Sequence, residues 1–236
     1  MRHLLRAAAV TALMVLLAAC ATQSQTGNQG VSFVPGQTKI ALMPIDVNLY
    51  LLTAGGVLEP RADWTEQARV HVEAAISKVQ RERNLVLVPF DQEKLSADER
   101  QHMTQVIKLH QVVGGEILVQ SRVPALRPPS KEGKFDWSIG PHAQIVKRET
   151  GAQYGLFVFM QDSYSSGGRV VLNLALAVLF GSSAGGGTQI GYASLVELET
   201  GNIVWYGSLA RGTGDLRTAE PAQDAIDSLF SGLPES

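Results

Sequence analysis

From residue 39 onward, short apolar runs alternate with stretches in which apolar residues return every three or four positions. Residues 39–45, Lys-Ile-Ala-Leu-Met-Pro-Ile, form a run of strand length with Pro44 near its end. After a loop containing Gly55 and Gly56, Trp64, Ala68, Val72, Ala75, Ile76 and Val79 fall on one helical stripe. Asp63 and Glu66 are spaced as a capping box ahead of that stripe. Residues 85–90 give a second strand, so the chain opens with a strand–helix–strand unit. Ser96 and Glu99 form a second capping box, and the helix it starts is expected to run to about Val113, where Gly114 and Gly115 interrupt it. A shorter apolar element follows over 117–123, then a loop over 124–137 carrying Pro124, Pro128, Pro129 and Gly133. Residues 143–150 read as a short helix with Gly151 as its left-handed cap.

The second half repeats the alternation with stronger signals. Residues 154–160 are a third buried strand, and 165–168 a turn. Two runs, about 189–198 and 203–209, face each other across Glu199-Thr200-Gly201-Asn202 as a hairpin. Thr218 can cap a last helix with Pro221 in its first turn, and Ala222, Ala225, Ile226, Leu229 and Phe230 fall on one side of it. The expected fold is therefore α/β (α+β): a mixed sheet of about five to six strands flanked by helices, with an amphipathic C-terminal helix.

Two segments break the alternation. Residues 170–180 are the most apolar stretch after the N-terminal region, followed by the glycine-rich 181–187. As a strand they would be buried on both faces or form one arm of a membrane hairpin, since a barrel strand needs about 9–11 residues. As a helix they are apolar all round except Asn173, which suits burial within the domain or against a partner. The other segment is the start. Arg2 and Arg6 precede an apolar run over 7–19, shorter than the roughly 20 residues of a spanning helix, and the run ends Leu17-Ala18-Ala19-Cys20. This resembles the bacterial lipobox, which implies diacylation of Cys20 and removal of residues 1–19. Cys20 is the chain's single cysteine. Ala21 rather than Asp follows it, which in such lipoproteins implies the outer membrane and its periplasmic face. Residues 20–38, rich in Gln, Ser, Thr, Gly and Asn, read as a lipidated flexible tether that at roughly 3.3 Å per residue reaches about 60 Å. The domain is expected over 39–236.

Charge and chemistry narrow the function classes. The full chain has 20 Lys+Arg and 22 Asp+Glu; losing Arg2 and Arg6 leaves 18 against 22, a net charge of −4. That balance opposes nucleic-acid binding, which needs a basic face. With Cys20 acylated no thiol remains for a disulfide or a metal. Gly181-Ser182-Ser183-Ala184-Gly185 matches the nucleophile elbow of serine hydrolases, but no histidine lies downstream and glycines replace the helix that should follow. His71, His102, His110 and His142 show no metal-ligand spacing and read as surface or partly packed residues. The glycine clusters match no phosphate-binding loop. Trp64 and Trp205 lie on apolar stripes and read as core; Trp137, in the loop, is the contact candidate.

Residues 39–45, the Gly151-Ala152-Gln153-Tyr154-Gly155-Leu156 lead into the middle strand, and the hairpin over 194–205 with Thr200-Gly201 and Ile203-Val204-Trp205 together resemble a known periplasmic α/β domain. It is shared by curli-secretion-channel lipoproteins, lipoprotein activators of penicillin-binding proteins, and outer-membrane lipoproteins of unassigned role. The resemblance spans roughly 39–230 and implies a binding or assembly role, with no catalytic residues and no cofactor. The expectation is a non-enzymatic lipoprotein, anchored in the bilayer through Cys20, that binds a protein partner in the envelope. The alternative is a homo-oligomer, a subunit of a secretion or translocation assembly using 169–187.

Overall fold

The computed structural model describes residues 21–26, 31, 34, 36–180, 186–212 and 214–234. Eight strands form one mixed sheet: β1 (Ala21–Thr26), β2 (Lys39–Leu42), β3 (Asp46–Leu52), β4 (Leu58–Pro60), β5 (Val86–Pro89), β6 (Tyr154–Ser165), β7 (Gln189–Glu197) and β8 (Ile203–Arg211). Among the described residues five α-helices accompany them: α1 (Ala62–Glu82), α2 (Ala97–Arg122), α3 (Gln144–Thr150), α4 (Gly167–Phe180) and α5 (Ala219–Leu229). The α/β class and the flanked mixed sheet are as expected, with more strands than the apolar runs alone announce.

The sheet is built around β6. Its Leu156, Val158 and Met160 face one way and Phe157 and Phe159 the other, so it is covered on both sides and reads as a continuous apolar run. The order across the sheet is β1-β8-β7-β6-β2-β5. β2 runs parallel to both β5 and β6, while β7, β8 and β1 are antiparallel to their neighbours. The strand expected over 39–45 is in fact interrupted: β2 pairs with β6 over Ile40–Leu42, and β3 resumes the same edge from Asp46. Pro44, with no N–H to give, lies in the break. β3 and the short β4 occupy what reads as loop in the sequence.

α1 and α5 cover one face, burying Ala68, Val72, Ile76, Ala225, Ile226 and Leu229 against Trp205 and the β6 side chains. α2 and α3 cover the other, against Ala41, Phe157, Tyr192 and Tyr206. Trp205 is fully buried, edge-on to Phe230 at 6.4 Å. Three local expectations are corrected. α1 starts one residue before Asp63 and has no side-chain cap; Asp63 instead pairs with Arg61. Thr218 precedes α5 without capping it, its hydroxyl donating to the Asp215 carbonyl. α2 does not stop at Gly114 but continues to Arg122. A Cβ at Gly114 would lie 2.4 Å from the Tyr192 ring, and the Tyr206 hydroxyl donates to the Gly114 carbonyl at 2.7 Å. The glycine lets a helix sit close on the sheet rather than ending it. The Ser96–Glu99 capping box forms as expected, as does the left-handed Gly151 after α3.

Candidate functional site

Cys20 and Ser183 lie outside the described residues; description begins directly after Cys20, at Ala21, and flanks Ser183 at positions 180 and 186. Ala21, immediately after Cys20, opens β1 and is registered against Ala210 of β8. The expectation of a tether over 20–38 is corrected to that extent: residues 21–26 are sheet, with backbone hydrogen bonds to β8.

β1 also forms a wall of a cleft of about 310 Å³. Gln25 lines it together with Gln120 at the end of α2 and Arg127, Lys131, Lys134 and Trp137 of the 124–137 loop. Lys131 lies over the Trp137 ring at 4.4 Å and donates to Asp136 at 2.7 Å. That pairing holds the Asp136 carboxyl below its usual range. The Trp137 carbonyl accepts from the Ile203 amide at 2.8 Å, which ties the loop to the hairpin. Three cations and an aromatic ring on one open wall suit an acidic or amphipathic polypeptide segment. Trp137 is thus where the loop reading put it, while the β1 wall is invisible in sequence because 21–26 has no apolar alternation.

The candidate histidines part company, with His71 half-buried on α1. His102 and His142 stack at 4.7 Å, brought together from α2 and the turn before α3. His110 is not at the surface: it is buried against Phe157 and Tyr192, and its Nε2 shares a 2.9 Å hydrogen bond with Ser194 Oγ. Burial lowers its pKa from 6.5 to about 3, so the imidazole stays neutral. Ser194 is also fully buried, so the pair is a core contact with no solvent face for a substrate. Among the described residues no group of three His, Asp, Glu or Cys could hold a metal.

A second polar cluster was not foreseen. Asp162 on β6 is 2% exposed and accepts from the Tyr164 hydroxyl at 2.6 Å, Gln189 Nε2 at 2.9 Å and the Leu216 amide at 3.3 Å. Burial pushes its carboxyl above the usual range, and those three donors oppose the shift. Arg211 donates to Gln189 Oε1 at 2.7 Å, and the Arg217 guanidinium lies 3.7 Å from the Tyr164 ring centre. These contacts join the end of β6, the start of β7, the end of β8 and residues 216–217. The cluster is structural, fastening the site where α4 leaves the sheet.

α4 is the one helix that packs on little. Residues 170–180 are helical, and over 170–179 none is fully buried in the domain. Val170, Val171, Leu174, Val178 and Leu179 are 56–76% exposed, whereas Arg169, Leu172, Asn173 and Leu176 are half-buried. No described helix is long and apolar enough to cross a membrane.

No protein-family model and no curated protein matches the chain. Among solved structures it is similar to the PelC dodecamer from Paraburkholderia phytofirmans, at 12% identity over 92% of this chain and 99% of that one, with a TM-score of 0.40. A variant PelC dodecamer in a second crystal form gives 13% identity, the same coverage and a TM-score of 0.42. At this degree of likeness, function rests on the chain's own residues.

Proposed function

We propose that this is a non-enzymatic lipoprotein of the outer membrane, anchored through Cys20 on the periplasmic face, whose domain binds a protein partner in envelope assembly. The observation that carries this reading is strand β1. The lipobox cysteine stands directly before its first residue, and Gln25 near its end lines the basic, aromatic cleft. Among the described residues its outer edge pairs with no strand, so an incoming extended segment has backbone donors and acceptors beside the Arg127, Lys131 and Trp137 wall. A partner segment with acidic and aromatic residues matches that wall.

Two measurements test the reading. Metabolic palmitate labelling with membrane fractionation should show an acylated outer-membrane protein, lost in Cys20→Ala; an unlabelled protein, or a variant that stays anchored, overturns the anchor. A photo-crosslinking residue at Lys134 should give one discrete adduct in cells, absent when the crosslinker sits at the control position Arg81, exposed on α1 and away from the cleft. Light scattering of the detergent-extracted complex then separates a distinct partner from a second copy of the chain. A monomer without adduct overturns partner binding.

A further inference from the structure

We infer that α4 lies flat in the interfacial layer of the membrane that holds Cys20, with Val170, Val171, Leu174 and Val178 turned toward the acyl chains. The inference rests on the anchoring reading above and adds a second, non-covalent membrane contact.

Register places the two elements at one end of the sheet. Ala21 is level with Ala210, Ala210 with Ile190, and Ile190 with Gln161 on β6. β6 ends four residues later at Ser165, and α4 begins at Gly167. Three strand spacings separate the anchor from β6, about 14 Å, and four residues of strand rise add about 13 Å toward α4. With β1 paired from Ala21, the acylated residue has no slack, so this end of the sheet is held at the bilayer surface. The turn over 53–57 meets α4 at its start, where the Arg169 guanidinium donates to the Ala54 carbonyl at 3.4 Å. That turn adds exposed Val57 and Leu58 to the same end.

The helix itself fits an interfacial position. At 1.5 Å per residue it is about 21 Å long, too short for a hydrocarbon layer of about 30 Å. Its residues divide cleanly: 169, 172, 173 and 176 turn to the domain, while 170, 171, 174 and 178 turn outward. Interfacial helices ordinarily carry their own charged face. Here the domain supplies the wet side, and the only charge on the helix, Arg169, is at its domain-side root. A contiguous apolar face of this kind marks an interaction surface, and the anchor identifies the bilayer as what meets it.

The test uses the acylated full chain. With the Cys20 sulfur in a thioether, Leu174→Cys is the sole free thiol and takes an environment-sensitive fluorophore. The labelled protein is reconstituted into vesicles of phosphatidylethanolamine and phosphatidylglycerol, with and without brominated acyl chains. The expected result is loss of emission with brominated lipid for Leu174→Cys and Val178→Cys, and none for Val112→Cys on the exposed side of α2. Unchanged emission at Leu174→Cys, in protein whose intact mass shows the acyl chains, overturns the inference and leaves the anchor standing. Shielding of Leu174→Cys from aqueous iodide without quenching by brominated lipid also overturns it, because a protein surface then covers the helix. An intact mass lacking the acyl chains overturns the anchor and the inference together.

Discussion

α4 and α5 are both short helices rich in apolar residues, and the domain treats them in opposite ways. α5 buries Ala222, Ala225, Ile226 and Leu229 completely, while α4 fully buries no residue over 167–179. The difference is written in what separates the apolar positions. In α5 Glu220, Gln223, Asp224 and Asp227 supply a face for water, so one docked orientation satisfies the whole helix. In α4 residues 170–180 offer only Asn173 as a polar position, so docking one side on the sheet leaves the other side apolar. A helix with two faces needs one partner; a helix with one kind of face needs two.

That contrast can be broken or sharpened by measurement. The largest effect is expected in α5: Ile226→Ala removes a fully buried side chain and should lower unfolding free energy by about 2–5 kcal/mol in a urea titration. Next is the close approach of α2. Gly114→Ala places a methyl against Tyr192, which is held between His110, Phe159 and Tyr206. Overpacking costs about 1–3 kcal/mol and the gain in helix propensity returns about 1, so a net loss is expected in the same titration. A third prediction concerns pH. His110 has a folded pKa of about 3 against 6.5 unfolded, so stability is fully present above pH 6.5 and falls as the unfolded chain takes up a proton below it. The slope is up to about 1.4 kcal/mol per pH unit, levelling near pH 3, and urea midpoints for His110→Gln should decline with one proton less. The smallest effect is expected in α4: Leu174→Ala should change unfolding free energy in water by under about 0.5 kcal/mol, because the side chain already faces solvent. A loss comparable to Ile226→Ala would show that α4 is packed and erase the contrast.

Much of the fold was legible. The alternation of runs and stripes located α1, α2, β5, β6, the β7–β8 hairpin and α5, since each has an apolar pattern of the right period. Elements without such a pattern were not: β1 is polar after Ala21, and its place depends on the free edge of β8. β3 does alternate, with Val47 and Leu49 buried, but the signal is short and follows Pro44 closely. Gly114 illustrates a different limit, because a glycine that ends a helix and one that admits a neighbouring ring look the same in one dimension. Of the candidate sites, Trp137 was visible as an aromatic in a charged loop. The Asp162 cluster was not, because Gln189, Leu216 and Tyr164 converge on it from three segments far apart in sequence.

The join beneath α4 has a consequence for how the chain tolerates change. β6 and β7 are antiparallel neighbours paired up to Asp162 and Gln189, and the Ser163 and Thr188 backbones bond across the gap at 3.0 Å. Beyond Ser165, where β6 ends against β3, the chain to Gly187 is an excursion in what is otherwise a hairpin connection. Loop-closure entropy rises only by about 0.6 kcal/mol per doubling of length, so lengthening a four-residue turn to span 166–187 costs about 1.5 kcal/mol. The sheet's register is fixed below the excursion and does not depend on its contents. Segments of different length or sequence can therefore be exchanged there during evolution, or grafted by design, while the same eight strands assemble underneath.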